Sequence, residues 1–158
     1  MKWRFEKIVS GGQTGVDRAA LDVALELGMP CGGWCPKGRK AEGDPIPSHY
    51  PLMETPSEEY VQRTEWNVRD SDGTLVLTRG EPTGGTAQTI EIAIRLGKPC
   101  MVINLEKHPR VSAILDWARK HKVRTLNVAG PRESKSPGIF GEASRFLQKL
   151  FKSLKSLR

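Results

Sequence analysis

Residues Ile8–Leu27 read IVSGGQTGVDRAALDVALEL, and the change of period inside this stretch decides the fold. Ile8 and Val9 form a short apolar run, and Gly11, Gly12 and Gly15 crowd the positions after it. Val16, Ala19, Ala20, Val23, Ala24 and Leu27 then recur at helical spacing. Gly28 and Pro30 supply the stop. Strand, glycine turn and helix in that order aim free backbone N–H groups and the positive end of a helix dipole at one place. An anion belongs at such a place.

The same pattern returns further along. Gly73–Thr78 (GTLVLT) reads as a buried strand and runs into a second glycine turn, Arg79 to Thr86. A helix with Ile90, Ala93, Ile94 and Leu96 follows and closes at Gly97. Cys100 to Leu105 is a strand, and His108-Pro109 opens a helix with Val111, Ile114, Leu115 and Ala118 on one stripe. Val123 to Ala129 is a strand ending in a third polar turn, Gly130 to Ser134. The last helix starts near Phe140 and carries Ala143, Leu147, Leu150, Phe151 and Leu154. Between the first helix and these units, a short strand is expected near Cys31 to Trp34, then a long surface loop. Its Lys37, Gly38 and Arg39 favour a functional role. Ser57 is placed to cap a helix from about Glu58 to Arg69 with Tyr60, Val61, Thr64 and Val68 facing in. Strands alternating with helices predict an α/β fold, a mainly parallel sheet of about five strands with helices on both faces. Ligands on such sheets sit beyond the carboxyl ends of the strands, so the three polar turns must lie along one edge.

The totals fit one domain spanning 1–158 with the composition of an ordinary soluble globule. No apolar run approaches the roughly 20 residues of a membrane span, and Met1-Lys2-Trp3-Arg4 leads into a strand, so a cytoplasmic location is expected. Three cysteines, an odd number, argue against a disulfide framework. Cys31 and Cys35 without a second pair make no zinc site, and Cys100 reads as core. The formal charge of +7 fits anionic partners. Part of it lies on Arg145, Lys149, Lys152, Lys155 and Arg158, read as the solvated face of the last helix.

The first turn lacks both the P-loop ending and the dinucleotide fingerprint spacing. Thr14 and Asp17 have the spacing of a capping box, and Arg18 follows in the first helical turn. A cation there opposes the dipole unless an anion is bound nearby, which makes Arg18 a ligand contact. A helix end contributes about 0.3–2 kcal/mol to an anion, whereas micromolar affinity takes about 8 kcal/mol. Lys37, Arg39, Arg63 or Arg132 must therefore add charge-assisted contacts. In the second turn Thr83, Thr86 and Thr89 bring hydroxyls to a helix start. Glu91 lies about one turn in, either a solvated helical glutamate or an acid or base facing a sugar. His49, His108 and His121 are scattered and form no nucleophile-plus-base set.

SGGQTGVDRAALD, PKGR followed by an acidic stretch and Tyr50, RTEWNVRDSD, TGGT and LNVAGPRESKSPGI together resemble the molybdenum-cofactor carrier family. That family is also described as the circularly permuted YpsA-like branch of the SLOG Rossmannoid superfamily. The likeness spans about Ile8 to Ile139. It implies a Rossmann-like three-layer fold, assembly as homo-oligomers (dimers or tetramers), and a phosphorylated nucleotide or pterin ligand, the molybdenum cofactor (molybdopterin) among them. No metal ligand is seen in the chain. The wider superfamily includes the lonely-guy-type phosphoribohydrolases. Their motif P-G-G-x-G-T-x-x-E is similar to Thr83–Glu91 and sets Glu91 on its catalytic glutamate, although Thr83 replaces the proline and Ala87-Gln88 the second Gly-Thr.

The first expectation is a binding or carrier protein whose turns at Gly11, Gly12, Gln13, Thr14 and Gly15 and at Gly84, Gly85 and Thr86 hold phosphate through backbone N–H groups. Arg18, Lys37 and Arg39 add charge, while Asn127, Gly130, Arg132, Glu133 and Ser134 close the far side. The second is a nucleoside-monophosphate N-glycosidic hydrolase using Glu91. Single-stranded nucleic-acid binding is the weakest, because only Trp34 and Trp66 offer stacking rings for a basic groove.

Overall fold

The computed structural model describes residues 4–155; the side chains of Leu154 and Lys155, and Arg158, lie outside the described residues. Its main sheet has five strands: β1 (Lys7–Val9), β2 (Cys31–Gly32), β5 (Gly73–Thr78), β6 (Cys100–Asn104) and β7 (Thr125–Ala129). They stand in the order β2-β1-β7-β5-β6, every pairing parallel. The expected α/β three-layer sandwich is what forms.

Connectivity decides which helix covers which face. The crossover α1 (Val16–Glu26) leads from β1 towards one edge of the sheet, and α3 (Gly84–Arg95) leads from β5 towards the other. Right-handed crossovers running in opposite directions put their helices on opposite faces. A helix α4 (Val111–Lys120) returns from β6 to β7, and α5 (Ile139–Lys155) packs along α1. The main core fills the α1/α4/α5 side, with Ile8, Val23, Leu75, Leu126, Leu147 and Phe151 fully buried. A smaller cluster of Val68, Ile92 and Ala93 seats α2 (Tyr60–Arg69) and α3 on the other face, with Cys100 partly buried against it. Burial pushes the Cys100 thiol up to about 11.

Several local expectations change. Gly33, at φ 135°, breaks the strand expected near Cys31–Trp34. Cys31–Gly32 joins the main sheet, while β3 (Trp34–Cys35) pairs with β4 (Met53–Glu54) in a two-stranded sheet. The segment between them packs Ile46 and Tyr50 on Leu21 and Cys35, so it is an ordered flap rather than a bare loop. Before α2, Ser57 Oγ accepts the N–H of Glu59, the residue just ahead of the helix, instead of capping it. Val61 faces solvent and Asn67 is buried in its place, because the inner side of α2 looks onto a polar cleft. Ile94 is 72% exposed on α3.

A candidate binding cleft at the carboxyl edge of the sheet

Strands β1, β7 and β5 are neighbours, so the turns that leave their carboxyl ends meet. They enclose a cavity of about 360 Å³, with the inner face of α2 as its side wall. Gly11 and Gln13 from the first turn and Thr83, Gly85, Thr86 and Thr89 from the second line it together. The third turn adds Gly130 and Arg132, β7 adds Asn127, and Asp17 and Arg63 enter from α1 and α2. Turns some 70 residues apart in sequence thus open onto one cleft, as the parallel topology requires.

The first turn is satisfied in part by its own side chains. Gln13 N–H donates to Asp17 Oδ2, Thr14 N–H to Gln13 Oε1, and Val16 N–H to the Pro131 carbonyl. The Glu42 N–H also donates to Gln13 Oε1, which fixes the amide and leaves Gln13 Nε2 for the cavity. Gly15 has φ 82°, and a Cβ there would strike the Pro131 carbonyl; only glycine lets α1 start against the third turn. A Cβ on Gly11 would strike the Arg63 guanidinium, which crosses that glycine to reach Asp17. Arg63 Nη1 donates to Asp17 Oδ2 at 3.1 Å, with the two side chains 12% and 7% exposed. Burial raises the Asp17 pKa despite Arg63 and the Gln13 N–H, which favour the charged form. Arg63 Nε is buried with no hydrogen-bond partner among the described residues.

The second turn is different. The Thr83 carbonyl accepts the Thr86 and Ala87 N–H groups, which leaves the Gly84 and Gly85 N–H groups at the start of α3 without an acceptor among the described residues. Lys135 Nζ lies 2.6 Å from where a Gly84 Cβ would stand, and the described residues offer that ammonium no carboxylate. A cation over the positive end of a helix is unfavourable unless an anion lies between them. The other cleft cations are braced. Arg79 donates through Nε and Nη2 to Glu142 Oε2 at 3.1 and 2.8 Å and through Nη1 to the Pro137 carbonyl, and Arg132 Nε lies 3.4 Å from Glu42.

Several expected residues have other tasks. Arg18 Nε donates to the Gly12 carbonyl and Arg18 does not line the cavity, so it braces the first turn from outside. Gly12 itself packs under Leu52 and Ile46. Arg39 donates to the carbonyls of Ile46, Pro47, Tyr50 and Leu52, which is why the flap is ordered and why this cation is not free for a ligand. Lys37 and Gly38 sit in the adjoining 3-10 turn, also outside the lining. Thr14 does not cap α1; its hydroxyl donates to Glu42. Ser134 donates to the same carboxylate through N–H and Oγ, at 3.2 and 2.5 Å. Glu133 accepts the Gly138 and Phe140 N–H groups and so caps α5. Glu91 is exposed on α3 and outside the lining, so no acid of the hydrolase motif faces the cavity at that position. Trp34 and Trp66 pack edge to face at 4.8 Å, and Trp34 Nε1 donates to Asp70.

The structure adds residues that spacing did not single out. Arg79 and Glu81 enter directly after β5, where the carboxyl-end rule alone points. Tyr60, Thr64 and Asn67 lie at helical spacing along the inner side of α2, and Lys135 and Ser136 extend the third turn. Glu42 ties the flap to both turns. Partial burial opposes its charge, but the hydroxyls of Ser134 and Thr14, the Ser134 N–H and Arg132 outweigh that and hold its carboxyl below the usual range. No helix among the described residues is long and apolar enough to cross a membrane.

A parallel sheet covered on both faces, with a polar, cation-lined cleft at its carboxyl edge, defines a Rossmann-like ligand-binding protein. Its relatives agree with that class. The chain belongs to the circularly permutated YpsA SLOG family, whose model matches residues 8–151. It is similar to the crystal structure of Putative molybdenum carrier protein from Syntrophus aciditrophicus SB, at 45% sequence identity and a TM-score of 0.89 over 96% of this chain and 97% of that one. No curated protein matches it.

Proposed function

We propose that this chain is a cytoplasmic binding or carrier protein for a phosphorylated small molecule of nucleotide or pterin type, its phosphate seated at the amino end of α3. One observation carries the reading: the Gly84 and Gly85 N–H groups, with no acceptor among the described residues, stand beside the Lys135 ammonium, to which those residues offer no carboxylate. A phosphate there accepts both amides and answers the lysine at once. The first turn shapes the cleft and presents Gln13 to it, and Arg63 crosses it at Gly11. A cavity of about 360 Å³ lies in the lower part of the range for small-ligand pockets, roughly 300–1,000 Å³. That suits a mononucleotide or a pterin monophosphate better than a dinucleotide. Tyr60, the one aromatic ring among the described lining residues, already has the Lys40 ammonium and the Arg63 guanidinium over its ring. The molybdenum carrier name of the similar protein favours the pterin form of this ligand.

Native mass spectrometry of the purified protein is expected to show a co-purified phosphorylated small molecule. Calorimetric titration with nucleoside monophosphates and a pterin monophosphate is expected to give binding that Lys135→Ala weakens about tenfold, the roughly 1.4 kcal/mol of one charge-assisted contact. The variant should melt with the wild type. Undiminished affinity in Lys135→Ala, or no binding of any of these ligands, would overturn the reading. Release of free base that Glu91→Gln abolishes would return the hydrolase.

A further inference from the structure

We infer that the strap Lys40-Ala41-Glu42 masks a second oxyanion site, in which the Glu42 carboxylate stands where a phosphate group would sit. It is a site apart from the amino end of α3. The strap runs along the rim of the cleft. At one end the Lys40 ammonium lies 5.0 Å from the centre of the Tyr60 ring on the α2 wall. At the other, the Glu42 N–H donates to Gln13 Oε1 and the Glu42 carboxylate reaches the third turn.

Three donors from two turns distant in sequence converge on that carboxylate, and a fourth stands by. Oε1 accepts the Thr14 hydroxyl and the Ser134 N–H, and Oε2 accepts the Ser134 hydroxyl. Arg132 Nε is buried 3.4 Å from Oε2, yet makes no hydrogen bond among the described residues. A backbone N–H, two hydroxyls and a guanidinium are a donor set suited to phosphate. The planar carboxylate spends its two oxygens on the first three donors and leaves the guanidinium unanswered. A tetrahedral oxyanion carries further oxygens, one of which can meet Nε. Arg132 also lines the cleft, so a group seated here opens onto the cavity.

The strap can lift without taking the flap apart. Gly38 and Gly43 flank it at φ 78° and 73°, and no atom stands within 4 Å of where either Cβ would lie. Backbone conformation rather than packing therefore calls for glycine at both places. Lifting withdraws the Ala41 methyl from the flap core, a small hydrophobic loss, while Arg39 still holds the carbonyls of Ile46, Pro47 and Tyr50. Glu42 is thus a tethered competitor that an incoming oxyanion must displace.

Calorimetric titration with inorganic phosphate tests this in the Lys135→Ala background, where the start of α3 contributes equally to every variant. A latch closed in about 90–99% of molecules lowers apparent affinity about tenfold to a hundredfold. Glu42→Ala is therefore expected to bind phosphate at least about tenfold tighter, and the near-isosteric Glu42→Gln should shift the same way. Adding Arg132→Met should cancel about tenfold of that gain. In the wild type, phosphate but not chloride at equal ionic strength should speed proteolytic cutting between residues 40 and 52. Unchanged phosphate affinity in both Glu42 variants, a gain that survives Arg132→Met, or flap cutting indifferent to phosphate would each overturn the masked site. An effect of Lys135→Ala itself belongs to the α3 site and enters none of these comparisons.

Discussion

Replacing Arg63 by Met tests how the cleft is held together. The guanidinium lies 3.1 Å from Asp17 Oδ2, and the two side chains keep only 12% and 7% exposure. Removing one partner of a buried ion pair costs about 3–5 kcal/mol. The residual exposure of Arg63 and the Gln13 N–H still bonded to Asp17 put the expected loss near the lower figure, about 3 kcal/mol. For a chain of this size that is a fall of about 6–12 °C in Tm. The loss should depend on pH in a definite sense. Burial already raises the Asp17 pKa above its ordinary 3.8 and Arg63 restrains the rise; without Arg63 it goes higher. A carboxyl with a raised native pKa binds its proton more readily folded than unfolded, so native stability falls as pH rises through that interval. The difference in Tm between Arg63→Met and wild type should therefore be largest near pH 8. It should shrink, as pH approaches 4, towards the roughly 1 kcal/mol of a lost neutral hydrogen bond. Asp17→Asn combined with Arg63→Met should recover part of the loss at high pH. Differential scanning calorimetry from pH 4 to pH 8 reads all of this. A difference that is flat with pH, or that grows towards acid, would refute the assignment of Asp17 as a desolvated carboxylate sustained by Arg63.

Glu42→Gln should lower Tm at neutral pH, because the carboxylate holds Thr14, Ser134 and Arg132 together. Its native pKa is depressed, so this contribution is present above the ordinary 4.5 and lost as pH falls through the native value; melting curves of variant and wild type should converge as pH falls below 4.5. Arg39→Ala should free the flap, from its four carbonyl bonds, and limited proteolysis should then cut between residues 40 and 52. Ligand affinity should change far less than stability, since Arg39 does not reach the cleft.

The fold was legible because its signals are local and repeated. Ile8–Leu27 and Gly73–Gly97 each show a strand, a glycine turn and a 3.6-residue period, and that alternation admits little besides a parallel sheet with turns gathered at one edge. The meeting of Gly11 and Gly85 at one cavity follows from that topology without any coordinate. The task of each cation did not follow. Arg18, Arg39 and Arg63 look alike in sequence, yet Arg18 holds the Gly12 carbonyl, Arg39 ties the flap, and Arg63 alone of the three enters the cleft.

Periodicity is a property of neighbouring residues and determined the elements, their order and the edge where they converge. Hydrogen-bond satisfaction is a property of the assembled chain. Only packing showed that the Gln13, Thr14 and Val16 N–H groups are answered by Asp17, Gln13 and Pro131, while those of Gly84 and Gly85 find no acceptor among the described residues and lie near Lys135. Two glycine turns of similar composition thus differ in their surroundings, because the assembled chain sets the Pro131 carbonyl against the start of α1 and the Lys135 ammonium against the start of α3.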